Sequence, residues 1–222
     1  MTTEPLCILH RDARALVVDK PAGLAVHRGW TDDDDTLVDR ARDLVGHQVH
    51  PVHRLDRGAS GVLLFALDRD AARAFSEAWI DAEKRYLAIT RGHPPSHIVV
   101  DHPVPRASGE TKREAVTELV LRDTFGRYAL VEARPRTGRL HQIRRHLKHL
   151  SCPLIGDVNY GKSEHNRIFR DQHGLARLAL HCTRLTVPHP DGGSLQVESP
   201  LPGDMAGAVA SCHAAYDPGG PR

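Results

Sequence analysis

Long apolar segments and secretion signals are missing from this chain of 222 residues. No uninterrupted apolar run approaches the roughly 20 residues that a membrane-spanning helix requires, so no spanning segment is predicted. Residues 1–5 have neither the basic start nor the long apolar core of a secretory signal, which predicts a cytoplasmic protein with no membrane partner. The apolar share of 40% and the charged share of 26% are typical of a soluble globular chain.

Cysteine and histidine patterns that hold metals or disulfides are also missing. The cysteines, Cys7, Cys152, Cys182 and Cys212, are widely spaced and form no Cys-x-x-Cys pair. This spacing argues against a disulfide framework or a zinc ribbon and predicts reduced, partly buried thiols. The 16 histidines fall in no known ligand pattern. We therefore predict no metal site, and no cofactor motif with a suitable context is present.

Charge is balanced overall but unevenly distributed. The net charge is only +2, yet residues 134–149 contain six lysines or arginines, three histidines and no acid. Such a stretch favours phosphate contacts, and a solvated helix face is the alternative. The cations are Arg134, Arg136, Arg139, Arg144, Arg145 and Lys148. The carboxylate run 32–35 is expected to be a solvated loop.

Hydrophobic periodicity predicts an α+β fold, with strands in runs and few helices between them. The whole chain, 1–222, is expected to be one domain, with residues 217–222 frayed. The inward face is assigned to Leu37, Ala41 and Leu44 in the first helix, and to Leu140, Ile143, Leu147 and Leu150 in the third. Helices are predicted over 36–46, 69–83 and 139–150, and strands within 6–18 (a pair around a turn) and over 61–67, 86–91, 113–122, 127–134 and 178–187.

The most informative segment is residues 53–61, His-Arg-Leu-Asp-Arg-Gly-Ala-Ser-Gly. It places Asp56 between Arg54 and Arg57 at the start of an apolar strand. Each neighbouring guanidinium favours the ionised carboxylate, and an ionised carboxylate at a strand edge can act as a nucleophile. Taken alone, an Arg-x-Asp-Arg sequence is more often an ion pair on a solvated loop.

The whole segment resembles the active-site signature of the RluA-type pseudouridine synthases. Further motifs similar to this family follow in the family's order and cover residues 8 to 190. One departure is Ala59, where the family usually has threonine, so a hydroxyl is missing beside the site. The similar segments are 20–23 with Val26 and His27, the Lys-x-Tyr strand at 84–86, the Thr-Gly-Arg-x-His-Gln-[Ile/Leu]-Arg motif within 136–144, and the late elements 153–157 and 180–181.

Within the family, the likeness is greatest to the TruC-type tRNA synthases, through residues 27–30, 144–150 and 166–178. The resemblance implies that the partner is RNA and that the target is uridine 65 in the acceptor stem of tRNA, with ribosomal RNA as the alternative. It implies a bent, mostly antiparallel mixed sheet with a central cleft, and no cofactor. No S4-type RNA-binding module is expected before the signature, and we expect a monomer without an obligate protein partner.

The resemblance also implies roles for individual residues. Asp56 is the catalytic carboxylate, and its route (glycal, acylal or Michael-type) stays open. Arg144 holds Asp56 ionised, Tyr86 stacks on the target base, and Arg54 fills the gap that the flipped base leaves. The remaining implied contacts are a dry wall from Leu154 and Ile155, and RNA phosphate contacts from Arg134, Arg136, Arg139, Arg145 and Lys148.

Two other functions compete with this interpretation. Residues 156–163 match Gly-x4-Gly-Lys-Ser, the phosphate-binding P-loop of nucleotide hydrolases. A P-loop follows a buried strand and opens a long helix, whereas here a basic helix precedes it and no later apolar run ends in an aspartate for Mg²⁺. The second alternative is a non-catalytic RNA-binding module, in which Asp56 is dispensable.

Overall fold

The computed structural model describes residues 5–28, 35–105 and 111–216. Residues 29–30 of the family-like stretch, carboxylates 32–34 and the tail 217–222 lie outside this part of the chain. The chain divides into two compact units, each of which is described by itself. The first contains Met1–Lys84 and Cys182–Pro200, and the second contains Arg85–His181 and Leu201–Arg222.

Strands and helices alternate irregularly along the described residues. The strands are β1 (Cys7–Arg11), β2 (Ala15–Lys20), β3 (His50–Pro51), β4 (Ser60–Ala66), β5 (Glu83–Arg91), β6 (His97–Asp101), β7 (Val104–Pro105), β8 (Lys112–Arg113), β9 (Val116–Phe125), β10 (Tyr128–Pro135), β11 (Leu180–Pro188) and β12 (Ser194–Glu198). The α-helices are α1 (Leu37–Val45), α2 (Arg69–Ala78), α3 (Gln142–His149), α4 (Ser163–Gln172) and α5 (Gly203–Tyr216).

Strand β4 is the centre of the first unit, because all seven of its residues are buried. Strand β2 pairs with it antiparallel, from Ala15 opposite Ala66 to Lys20 opposite Gly61. On the outer side of β2 lies β1, and the short β3 also pairs with β4. Helix α1 begins where the Thr36 hydroxyl accepts the Asp39 N–H and ends at Gly46 in the left-handed conformation.

The second unit is built on antiparallel pairings of β10 with β5 and β9, and of β9 with β6. Its core gathers aromatic and small apolar side chains, among them Phe125, Tyr128 and Phe169 together with Met205 and Ala208 of α5. Aromatic rings supply most of the buried area per residue in such a core. Helix α5 therefore belongs to the core of this unit.

The predictions of an α+β fold and a mostly antiparallel sheet are confirmed. Both predicted hairpins are present, and β9 and β10 turn at Gly126, which has a φ of 58°. Cys152, Cys182 and Cys212 are buried free thiols as predicted, whereas Cys7 is exposed. In the described part of the chain, no helix is both long and apolar enough to cross a lipid bilayer. The single-domain prediction for 1–222 stays a prediction.

Two predicted helices have wrong ends. The predicted helix 69–83 stops at Ala78, because Trp79–Asp81 form a 3-10 turn and β5 begins at Glu83. The predicted helix 139–150 begins only at Gln142, because His141 has a φ of 55° that a right-handed helix cannot include. For the same reason Leu140 is exposed rather than inward, and Leu44 on α1 is exposed as well.

Six elements were not predicted: the two-residue strands β3 and β7, and β6, β12, α4 and α5. Helix α4 is polar on most of its surface and buries only His165 and Phe169, so it has little apolar periodicity to detect. Helix α5 is rich in alanine and glycine, and its small apolar residues do not contrast clearly with a polar face. Both helices are fixed by packing in the second unit rather than by a strong local pattern.

Candidate active site

Asp56 lies in the first unit, in the loop that joins β3 to β4. Leu55 before it is buried, Asp56 itself is half-buried, and Arg54 and Arg57 are exposed. The Ala59 N–H donates to the Asp56 carbonyl at 3.0 Å and closes a turn just before β4. The carboxylate therefore stands at the edge of the most buried strand of this unit, where the sequence predicted it.

The loop that follows β2 is hydrogen-bonded to the Asp56 loop and supports it. Lys20 has 0% exposure, and its Nζ donates to the carbonyls of Pro21 and Leu24 at 2.7 Å and of Arg57 at 3.2 Å. The Gly23 N–H also donates to the Arg57 carbonyl at 2.8 Å, and Arg57 Nε donates to the Gly23 carbonyl at 2.9 Å. These bonds fix the backbone on the carboxyl side of Asp56. The sequence analysis assigned no role to Lys20.

We expect Lys20→Met to destabilise the protein by about 3 kcal/mol, because it removes a fully buried ammonium that donates to three backbone carbonyls. Chemical denaturation measures the change in the free energy of unfolding. Lys148→Met is the matched control, since Lys148 is exposed on α3 and its loss is expected to change stability by less than about 0.5 kcal/mol. Equal stability of the two variants would contradict the bracing role.

His53 lies at the start of the Asp56 loop, just after β3. The Leu64 N–H donates to its Nε2 at 3.2 Å, so the ring replaces a strand carbonyl as acceptor. The ring stacks on Trp79 with centroids 4.9 Å apart, and Lys84 Nζ lies 4.9 Å from the Trp79 ring centroid. Burial and the charge of Lys84 lower the pKa of His53 to about 3. The imidazole therefore stays neutral and keeps its acceptor at physiological pH.

The Ser-Gly that ends the signature has a steric explanation. Gly61 has a φ of 112°, a conformation that favours glycine, and a Cβ there would lie 2.2 Å from the Cys182 carbonyl oxygen. Only glycine therefore permits this close approach of β4 to the backbone at Cys182. The preceding Ser60 is buried.

Arg144 lies in the second unit, on α3, in a buried ion pair with Asp157. Its Nε donates to one carboxylate oxygen at 2.7 Å and an NH2 nitrogen donates to the other at 2.8 Å. Burial acts to raise the pKa of Asp157, but Arg144 and the N–H groups of Tyr160 and Asn159 outweigh burial, so this pKa lies below its usual value. The sequence analysis did not find Asp157 as a partner. The predicted action of Arg144 on Asp56 stays a prediction.

The rest of the Thr-Gly-Arg motif holds α3 against the sheet of the second unit. Gln142 accepts from the Thr137 hydroxyl at 2.7 Å and from the Arg139 N–H at 3.0 Å, and it donates to the Val116 carbonyl and the Thr117 hydroxyl. Every polar atom of this buried amide is thus bonded. The motif therefore orients the helix that carries Arg144.

Tyr160 joins α3 to the loop that contains Asp157. Its hydroxyl accepts from Arg145 Nε at 2.9 Å and lies 3.2 Å from His141 Nδ1. The guanidinium carbons of Arg144 and Arg145 lie 5.2 Å and 5.7 Å from its ring centroid, within cation–π range. His141, whose backbone is left-handed with a φ of 55°, has its ring edge-on to the Tyr160 ring, with centroids 5.8 Å apart.

The other predicted active-site residues of the second unit lie on or beside β5. Tyr86 is buried and pairs with Ala133 of β10. Leu154 bridges to Thr90, and the Ile155 N–H donates to the Ile89 carbonyl at 2.9 Å. Leu154 and Ile155 are both almost fully buried, in keeping with an apolar wall. Their roles toward a substrate stay predictions.

The basic stretch is less free than its sequence indicated. Arg134 pairs with Glu132 at 2.5 Å and Arg136 with Glu118 at 3.8 Å, while Arg139 donates to the Glu114 carbonyl. These acids precede the window 134–149, so a scan of that window did not count them. Arg145 donates to the Pro105 carbonyl, and Lys148 is exposed. Their predicted phosphate contacts remain untested.

The P-loop alternative does not fit the structure of residues 156–163. The N–H groups of Asn159 and Tyr160 donate to the Asp157 carboxylate, and the Gly161 N–H donates to the Asp157 carbonyl. The Gly156 N–H donates to the Asn166 side chain. The amides that a P-loop offers to a phosphate are therefore occupied by the protein's own oxygens.

Comparison with known proteins agrees with this geometry. The family model for RNA pseudouridylate synthase matches residues 14–149, which include the Asp56 loop and the Thr-Gly-Arg motif. The tRNA pseudouridine synthase C of Haemophilus ducreyi is 39% identical, with 83% of this chain and 86% of the relative covered. That of Vibrio cholerae is 36% identical, with 82% and 85% covered.

Solved structures show the same fold. Human RNA Pseudouridylate Synthase Domain Containing 4 superposes with a TM-score of 0.77 at 30% identity, covering 93% of each chain. Human RNA Pseudouridylate Synthase Domain Containing 1 gives 0.76 at 27%, covering 89% of this chain and 84% of its own. The motifs, the fold and the relatives agree. This chain belongs to the RNA pseudouridylate synthase family and is a pseudouridine synthase, an isomerase of uridine in RNA.

Proposed function

We propose that this enzyme converts uridine 65 in the acceptor stem of tRNA to pseudouridine, with Asp56 as the catalytic carboxylate. The observation that carries the tRNA assignment is the pair of relatives named tRNA pseudouridine synthase C, each covered over more than four-fifths of its length. Position 65 comes from the likeness of residues 27–30, 144–150 and 166–178 to TruC-type synthases.

The reaction needs little besides a placed carboxylate and a dry pocket. The C1′–N1 bond breaks, the uracil rotates, and a C1′–C5 bond forms while the C5 hydrogen leaves as a proton and N1 gains one. No atom is added and no electron is transferred, so the balance requires no cofactor. The glycal, acylal and Michael-type routes all begin from an ionised carboxylate, which serves as base or nucleophile.

The structure supports Asp56 through the rigidity of its loop. Lys20, Gly23 and Arg57 hold the backbone beside it through hydrogen bonds that do not depend on a substrate, which supports a fixed position for the carboxylate. A prearranged carboxylate loses less entropy when the substrate binds. The roles of Tyr86 as stacking aromatic and of Arg144 as cation belong to the same proposal and derive from the family.

The test of the substrate uses transcripts and cells. We expect recombinant protein to release tritium from tRNA labelled with 5-³H-uridine and to form pseudouridine at position 65. A transcript with cytidine at that position is the control, and it should yield none there. Pseudouridine mapping in total RNA from cells without the protein should show loss at tRNA position 65. Loss of a ribosomal site with intact tRNA would overturn the tRNA assignment and leave the enzyme class standing.

A further inference from the structure

Two exposed apolar side chains flank the Tyr160 cluster of the second unit. Val158 follows Asp157 directly and has 88% exposure, while Leu140 precedes His141 and has 38%. Isolated exposed apolar residues are common on protein surfaces and by themselves need no explanation. These two differ because each is next to a residue that joins the loop 157–160 to the start of α3. Val158 follows Asp157, which pairs with Arg144, and Leu140 precedes His141, which contacts Tyr160.

The loop that carries Val158 is held in place by several hydrogen bonds within the protein. The Asp157 carboxylate accepts the N–H groups of Asn159 and Tyr160 at 2.9 Å and 3.0 Å, and Asn166 bonds to both Gly156 and the Asp157 carbonyl. The buried Arg144–Asp157 pair fixes its base. An apolar side chain held on such a platform loses little further backbone entropy when a partner covers it.

The segment that carries Leu140 is joined to this platform. His141 contacts the Tyr160 hydroxyl at 3.2 Å, and Arg145 donates to the same hydroxyl at 2.9 Å. The two segments, 139–141 and 158–160, are therefore joined through Tyr160, and together we call them the Tyr160 platform. Its exposed apolar residues are Leu140 and Val158. Val158 follows Asp157, which pairs with Arg144, and Leu140 precedes His141, which shares the Tyr160 hydroxyl with Arg145.

The charge around the Tyr160 platform favours a polyanion. Arg139 and Lys162 are exposed beside it, and the segments 139–149 and 158–163 together contain five lysines or arginines and no acid, while the exposed acids Glu114 and Glu164 adjoin them. Asp157, which lies between these segments, is neutralised by Arg144. A surface of exposed apolar groups within a positive rim suits a strand of RNA whose bases are partly unstacked.

We propose that the Tyr160 platform packs against the faces of unstacked nucleotides in the bound tRNA, with Val158 and Leu140 as the contacting side chains. This rests on the proposed function, since extraction of a base from structured RNA exposes apolar base faces beside it. Apolar side chains cover such faces in other nucleic-acid complexes that distort their ligand. The residues act on substrate binding and touch no reacting atom.

The experiment compares Val158→Ser and Leu140→Ser with Ile80→Ser. Ile80 is a matched control because it is 86% exposed and lies in the first unit. We expect Val158→Ser to raise the Kd for tRNA about tenfold, as when an aliphatic side chain loses burial against a partner. Val158→Leu should keep the wild-type Kd, and Ile80→Ser should change nothing. Thermal unfolding is expected to be unchanged in all four variants.

Two further readouts separate this role from others. The slope of log K against log salt should stay the same in Val158→Ser, because no phosphate contact is removed. The single-turnover rate at saturating tRNA should fall much less than binding. Wild-type-like Kd values for both Val158→Ser and Leu140→Ser would overturn the inference. A wild-type protein that binds tRNA but releases no tritium from it would instead overturn the proposed function.

Discussion

Asp56→Asn is expected to abolish pseudouridine formation, lowering the single-turnover rate by at least about 10⁴-fold, while tRNA binding persists. Asparagine has nearly the same shape but no negative charge and no basic oxygen. The turn itself should survive, because it is held by the Asp56 carbonyl and by the bonds of Lys20 and Arg57. The loss is therefore chemical rather than structural.

Tritium release from tRNA labelled with 5-³H-uridine measures the rate, and filter binding measures the Kd. Asp70→Asn is the control, because Asp70 is an exposed carboxylate in the first turn of α2. It should match the wild type in both measurements. Tritium release by Asp56→Asn at the wild-type rate would rule out Asp56 as the catalytic group and leave the enzyme class standing.

Residues whose role depends on close neighbours in the chain were predictable from sequence. Asp56 stands between two arginines at the head of an apolar strand, and the structure places it on the loop that enters β4. The Thr-Gly-Arg motif was found by its resemblance to the family motif, and it leads into the helix that carries Arg144. Its physical purpose was not visible, because Gln142 bonds to Thr117 across 25 positions.

Residues whose role depends on distant partners were missed. Lys20 was noted only as part of a family-like loop, yet it is fully buried and donates to the Arg57 carbonyl. Nothing in the stretch 153–157 marked Asp157 as the carboxylate that binds Arg144. The cation count over 134–149 was also misleading, since Glu118 on β9 and Glu132 on β10 pair with two of its members, Arg134 and Arg136. Such pairings arise only once β9, β10 and α3 are assembled.

Asp157→Asn is expected to destabilise the protein by about 3 to 5 kcal/mol near pH 7, because it leaves the Arg144 guanidinium buried without a counter-charge. Arg144→Met should cost a similar amount by leaving a buried carboxylate. The double variant should lose less stability than the sum of the two single variants. Each single variant leaves one buried charge without a partner, and the second substitution removes that charge. Asp171→Asn is the control, because Asp171 and its partner Arg170 are more than half exposed, and a loss below about 1 kcal/mol is expected.

The cost of Asp157→Asn should also depend on pH in a defined direction. The pKa of Asp157 in the folded protein lies below its usual 3.8, so the unfolded chain takes up this proton first as the pH falls. The stabilisation by the carboxylate is therefore complete above about pH 5 and declines as the pH falls through the folded pKa. Chemical denaturation of the wild type and Asp157→Asn near pH 7 and near pH 3 measures the difference in their free energies of unfolding, which should be smaller near pH 3. A gap between the two proteins that widens towards acid would show that the Asp157 carboxylate is not stabilised by Arg144, and the pair could not then be what holds α3 in place.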